Sequence, residues 1–255
     1  MPDSATSPNT QAVRLKVDLL PKGPYPDVVI LVDVLRATTL TAILFEQGVQ
    51  TVYISPSLKA ARGFAHSQQL LLAGERQGMP PEGFNFGASP AELRRIRFER
   101  DIMLTTENGP KALDQVKSAK TVLLGSFYNA RAVTALASTL VTEEIAIVCA
   151  GQEGNETLED TACAGFLARL IARDRQVELR DGARMAMALI RAFPDPQEAL
   201  VQSNAGQLLG KLNLHEDLAI ASLISQTAAV PQLAAELSWE GQPVFCLKSG
   251  SPDDA

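Results

Sequence analysis

The strongest constraint on this chain is a repeated order of segments. A short apolar run gives way to a cluster of Gly, Ser, Thr or Asn and then to a stretch with helical spacing, and this order recurs through residue 173. The clearest run, VVILV over 28–32, is short, β-branched and uninterrupted. Such a run predicts a strand buried on both faces, as in parallel sheets covered by helices. Further strands are expected over 51–54, 69–73, 102–105, 121–124 and 145–149. Helices are expected over 37–45, 58–66, 90–95, 111–116, 130–140 and 162–173, from spacing and propensity. Residues 12–20 alternate apolar and polar, the pattern of a half-buried edge or antiparallel strand.

The expected fold class is therefore α/β, a largely parallel or mixed sheet flanked by helices. Beyond about residue 181 the pattern changes to helices over 183–193, 204–212 and 217–225, followed by one strand over 243–247. This reads as a helix-rich C-terminal portion. A single domain over 11–248 is expected, with a sub-boundary near 180, a flexible leader over 1–10 and a frayed tail over 249–255.

Composition removes several function classes. With 23 basic and 29 acidic residues the formal charge is -6, and no Lys/Arg block offers a footprint for nucleic acid. No apolar run reaches the ~18 residues of a membrane span, and the polar first ten residues carry no signal-peptide core. A cytoplasmic protein is expected. Three scattered cysteines, Cys149, Cys163 and Cys246, suit reduced thiols. Only His66 and His215 supply imidazole, so a two-histidine zinc helix or a serine–histidine triad has no obvious source; both are expected at the surface.

In a parallel α/β sheet, ligands bind beyond the carboxyl ends of the strands. Those ends carry polar residues of related kinds here: Asp33 and Arg36, then Glu75 and Arg76, then Asn108 with Lys111, then Ser126 and Asn129, then Glu159 and Asp160. Helix N-termini present N–H groups to anions, and arginine adds a fork of donors for the same oxyanions. An anion site alone needs no carboxylates. Their presence beside the arginines predicts a hard divalent cation, Mg²⁺, which binds through one or two carboxylates, waters and substrate phosphate oxygens. Metal, arginines and helix dipoles together stabilise charge during phosphoryl transfer. Each residue also has a plainer use: Asp33 as a helix cap, Glu75 and Arg76 as an exposed pair, Glu159 and Asp160 as complements to a helix dipole.

Other phosphate chemistries fit poorly. Cys163 and Arg169 have thiol-phosphatase spacing, but the residues between them read as helix interior. Leu35 stands where a haloacid-dehalogenase-type phosphatase needs its second aspartate, and neither a Walker A sequence nor Gly-x-Gly-x-x-Gly follows the early strands.

Five blocks, DVLRATTL (33–40), GERQGMPPEGFNFGASP (74–90), TTENGPKAL (105–113), GSFYNARAV (125–133) and CAGQEGNETLEDTACAG (149–165), resemble the 2-phosphosulfolactate phosphatase family, often called ComB. The match is collinear over about 13–237. The resemblance implies an α/β protein that hydrolyses the phosphate ester of 2-phospho-3-sulfolactate with Mg²⁺, a step in coenzyme M biosynthesis. It implies catalytic roles for Asp33 and Glu75, and substrate contacts from Arg36, Arg76, Asn108, Lys111, Ser126 and Asn129. The metal ligands would come from Asp33, Glu75, Glu159 and Asp160. Water attack with Asp33 or Glu75 as ligand or base, and a covalent aspartyl-phosphate on Asp33, both remain open.

Against the family pattern, Asn85 replaces an Asp, Ala88 an Asn, Pro110-Lys111 a Thr-Arg and Leu40 a Thr, while Ser225 stands where an acidic residue is common. An Asn85 at the metal would weaken Mg²⁺ binding, and Lys111 on a sulfonate would replace a fork with a point charge. These departures leave a second expectation, a catalytically weakened anion-binding or regulatory protein on the same fold. The expected partner is a small anionic phosphate ester, not nucleic acid or membrane, and a homo-oligomer is compatible with the composition.

Overall fold

The structure, a computed structural model, describes residues 12–250. The expected leader over 1–10 and the tail residues 251–255 lie outside the described residues. Ten strands form one mixed sheet in the order β4-β5-β3-β10-β9-β6-β2-β7-β1-β8. The strands are β1 (Val13–Asp18), β2 (Val28–Val32), β3 (Val52–Ile54), β4 (Leu71–Gly74), β5 (Ile102–Thr105), β6 (Thr121–Gly125), β7 (Glu144–Cys149), β8 (Val177–Leu179), β9 (Val230–Trp239) and β10 (Gln242–Gly250). The helices are α1 (Ala37–Glu46), α2 (Leu58–Gln68), α3 (Pro90–Leu93), α4 (Gly109–Val116), α5 (Ala130–Leu140), α6 (Leu158–Asp174), α7 (Asp181–Ala192), α8 (Pro196–Gln202), α9 (Asn204–Lys211) and α10 (His215–Ala221).

Two parallel blocks make up the sheet. One holds β4, β5 and β3; the other holds β6, β2, β7, β1 and β8. The antiparallel hairpin of β9 and β10 joins them. All five residues of β2 are buried, because α4, with apolar side chains of α1, covers one face while α5 and α6 cover the other. Val28, Ile30 and Val32 pack with Leu167 and Val133; Val29 and Leu31 pack with Leu40, Leu44 and Leu113. This second cluster also contains Val52, Ile102 and Leu104 of the other block. One apolar layer therefore serves both blocks.

Several elements differ from expectation. β1 alternates buried and half-buried residues as its sequence does, yet it is parallel to both β7 and β8. Its polar face is occupied by ion pairs, Arg14 with Glu144 at 3.2 Å and Lys16 with Glu144 at 3.5 Å. β9 was not expected, since VPQLAAELSW is rich in helix formers, and its pairing with β10 overrides that preference. Ser249 and Gly250 belong to β10, paired with Pro231 and Val230, rather than to a frayed tail. The last helix ends at Ala221, with Ser225 in a left-handed conformation beyond it. After four consecutive helices the chain thus returns to the middle of the sheet. No helix among the described residues is long and apolar enough to cross a membrane.

Candidate active site

The exit of β2 is a tight turn held by its own side chains. The Asp33 amide donates to the Thr38 hydroxyl at 3.1 Å, and that hydroxyl donates back to the Asp33 carbonyl at 2.8 Å. The Thr39 hydroxyl donates to the Val34 carbonyl at 2.9 Å. Asp33 Oδ1 accepts the Ala37 amide at 3.2 Å, so the carboxylate does cap α1. Its other oxygen faces Gly109 at the start of α4. A Cβ on Gly109 would stand 2.8 Å from Asp33 Oδ2 and 2.7 Å from the Ala37 Cβ, so only glycine permits this approach.

Around Asp33 lies a narrow open cleft. It is lined by Arg36, Glu75, Glu107, Asn108, Glu159 and Asp160, with Gly78, Gly151 and Gln152 from adjoining turns. Leu208 and Leu209 of α9 close one wall. The exits of β2, β4, β5 and β7 therefore meet, although β4 and β7 are far apart in the sheet order.

Five carboxylates face one basic side chain here. Asp33, Glu159 and Asp160 are 7%, 3% and 3% exposed. Burial pushes the Asp33 carboxyl up to about 7; the Ala37 amide opposes this, and the charges of Glu75 and Glu159 add to it. Burial likewise raises Glu159, and raises Asp160 well above the usual range with help from the Glu159 and Asp33 charges. The carboxylates differ in what already holds them. Asp160 accepts the Val34 amide at 2.8 Å and the Gly151 amide at 3.2 Å. Glu75 accepts the Gly78 amide at 2.9 Å and the Glu107 amide at 3.2 Å. Glu159 Oε2 is buried without a hydrogen-bond partner. Among the described residues three of the four such side-chain atoms, on Thr106, Thr157 and Glu159, belong to or flank the cleft lining.

Not every expected residue enters the cleft. Asp33, Arg36, Glu75, Asn108, Glu159 and Asp160 do. Arg76 turns away, donating to the Pro56 carbonyl at 3.1 Å and to the Thr105 hydroxyl at 3.0 Å. Ser126 and Asn129 are fully buried and do not line it. The Asn129 side chain accepts the Ser126 amide at 2.9 Å and donates to the Leu124 and Ala229 carbonyls, tying β6 to the entry of β9. Lys111 is exposed in a neighbouring groove that shares Asn108 with the cleft. Asn85 accepts the Leu72 amide at 2.8 Å and Ala88 is buried in the core; neither lines the cleft. Glu107 was not expected, though it stands beside Asn108 in a block already singled out.

No three His, Cys, Asp or Glu side chains among the described residues form a ready-made metal site. The expected set of Asp33, Glu75, Glu159 and Asp160 therefore does not stand together as one preformed ligand cluster. A buried carboxylate oxygen without a donor, among neighbours that burial and mutual repulsion push toward protonation, is chemically suited to a divalent cation.

The chain matches the family model described as 2-phosphosulpholactate phosphatase over residues 15–236. It is similar to the probable 2-phosphosulfolactate phosphatase of Thermus thermophilus, at 44% identity over 225 residues, 87% of this chain and 94% of that protein. A protein of the same description from Deinococcus radiodurans is 39% identical over 224 residues, 87% of this chain and 93% of the relative. One from Carboxydothermus hydrogenoformans is 33% identical over 226 residues, 86% and 93%.

Proposed function

This chain belongs to the 2-phosphosulfolactate phosphatase family, and we propose on that footing that it hydrolyses 2-phospho-3-sulfolactate, or a related small anionic phosphate ester, with the help of Mg²⁺. The observation that carries the reading is the acidic cleft itself. Five carboxylates repel a phosphate ester unless a divalent cation lies between them, so this lining suits an anion bound together with a metal.

Asp33 and Glu159 would hold the ion, with waters and phosphate oxygens completing its shell. When bound, Mg²⁺ supplies positive charge to the phosphoryl oxygens. Asp160, tied to two backbone amides, remains a fixed outer carboxylate. Glu75 is steadied by the amides of Gly78 and Glu107. In this reading it accepts a proton from the attacking water while the water oxygen bonds to phosphorus. The ester P–O bond breaks, and the proton goes on to the departing alkoxide, leaving hydroxy acid and inorganic phosphate. Arg36 faces the charge that develops on the phosphoryl group. Lys111, in the groove that shares Asn108 with the cleft, is a candidate for meeting a second anionic group of the substrate.

Phosphate release from 2-phospho-3-sulfolactate, phospholactate and common sugar phosphates, after chelation and with Mg²⁺ restored, tests the proposal. Turnover of the first substrate that requires Mg²⁺ is expected, together with a Mg²⁺-dependent rise in melting temperature that Glu159→Gln abolishes. Full activity after chelation ends the metal assignment, and no turnover of any ester ends the phosphatase reading.

A further inference from the structure

Arg36 is the only basic side chain lining the cleft among the described residues, and it is 6% exposed. What holds it comes from the far end of the chain. Nη1 donates to Asp217 Oδ2 at 2.9 Å, and Nη2 donates to the Gly78 carbonyl at 3.0 Å. Asp217 stands in α10 and is 1% exposed. Its second oxygen accepts the Ser89 hydroxyl at 2.5 Å and the Ala91 amide at 3.1 Å. The Gly78 amide in turn donates to Glu75 Oε2 at 2.9 Å. Asp217, Arg36, Gly78 and Glu75 thus form one continuous run of hydrogen bonds from a C-terminal helix to a carboxylate of the cleft.

A buried ion pair is weak evidence for stability, because desolvating two charges offsets most of their attraction. It does fix geometry. A guanidinium has five N–H donors in a rigid plane, so anchoring two of its nitrogens determines where the remaining N–H groups point. Asp217 does not itself line the cleft; its one side-chain contact with a lining side chain is with Arg36, so it can act only through Arg36 and the segments it ties together.

We propose that Asp217 is a positioning residue for phosphoryl transfer: it orients Arg36 toward the phosphoryl oxygens and, through Gly78, steadies Glu75. This rests on the phosphatase reading above. It also assigns the helices after α7 a part in the active site, because α10 supplies the anchor while α9 supplies a wall.

The test is a double-mutant cycle of Asp217→Asn, Arg36→Gln and the pair in the Mg²⁺-supplemented full chain. Turnover of 2-phospho-3-sulfolactate, inhibition by inorganic phosphate and melting temperature are measured for each. Asp217→Asn is expected to lower kcat by on the order of tenfold or more, as loss of a group that orients a catalytic one does. KM should change much less. In the Arg36→Gln background the same substitution should change kcat by less than about twofold, since the group it acts through is gone. A purely structural role predicts equal factors in both backgrounds, and that outcome overturns the proposal.

If Asp217→Asn does not fold, Ser89→Ala removes one of the bonds to Asp217 and should lower kcat severalfold at unchanged KM; wild-type kcat there overturns the proposal. Should the wild-type chain hydrolyse no ester, the phosphatase reading falls, and thermal stabilisation by inorganic phosphate becomes the readout. A rise in the wild type that Asp217→Asn loses supports the positioning of Arg36; equal rises, or none in either, overturn it.

Discussion

Strand β2 is bracketed by two buried aspartates, and they could hardly be kept more differently. Asp27 at its entry is 3% exposed and Asp33 just past its exit is 7% exposed. Oδ2 of Asp27 accepts the amides of Thr142, Glu143 and Glu144 at 2.7, 2.6 and 3.1 Å. Burial pushes its carboxyl up, but the amides outweigh that and hold it below the ordinary carboxylate range. Asp33 Oδ1 accepts the Ala37 amide and Oδ2 lies against Gly109, and burial with the charges of Glu75 and Glu159 pushes the carboxyl up to about 7. At one end three amides hold a charge through a single oxygen, Oδ2, while Oδ1 is buried without a partner; at the other, carboxylates crowd one another. Carboxylates crowded in this way cluster at functional sites.

The comparison can be broken by exchanging the consequences. Asp33→Asn is expected to lower phosphate release at least about a hundredfold, in the range typical of lost acid–base and electrostatic groups, with a melting temperature equal to or above wild type. Asp27→Asn should do the reverse, costing about 2 kcal/mol in urea unfolding, as loss of charge-assisted hydrogen bonds does, with unchanged turnover per folded molecule. A destabilised Asp33→Asn or an inactive but stable Asp27→Asn would contradict the division.

The pH dependence of the metal-free protein sharpens it. Asp33 titrates higher folded than unfolded, so its contribution is full below the unfolded value near 3.8 and is lost as pH rises toward about 7. Asp27 titrates lower folded than unfolded, so its contribution is present above 3.8 and is lost as pH falls below it. Urea midpoints against pH should therefore show a shallower neutral-side decline in Asp33→Asn, with the part due to Glu159 and Asp160 remaining, and a shallower acid-side decline in Asp27→Asn. The smallest effect belongs to Ser126→Ala, whose hydroxyl has only a long 3.5 Å contact with Asn129. Turnover within about twofold of wild type and less than ~1 kcal/mol of destabilisation are expected; a large fall in kcat/KM would return Ser126 to the substrate.

Much of this was legible in the residues. The apolar run of β2 and the polar clusters after successive strands placed Asp33, Arg36, Glu75, Asn108, Glu159 and Asp160 together, because strand ends in α/β sheets share a rim. Other features depend on contacts that no local pattern records. Arg76 follows Glu75 in sequence, yet its guanidinium is drawn out of the cleft to the Pro56 carbonyl and the Thr105 hydroxyl. Asp217 reads as an ordinary acidic residue at a helix start, and its partner Arg36 is 181 positions away. β9 carries a helix former's sequence, and only its place beside β10 makes it extended.

That place has a further consequence for how the protein comes into being. During synthesis the ribosome releases the N-terminal segments first, yet β9 and β10, the last strands of the described chain, are the seam between the two parallel blocks. Until they emerge, β3 and β6 each present an open edge able to pair with another nascent chain. Removing 230–250 would not trim the rim of the sheet; it would split it into two pieces, each with a sticky side.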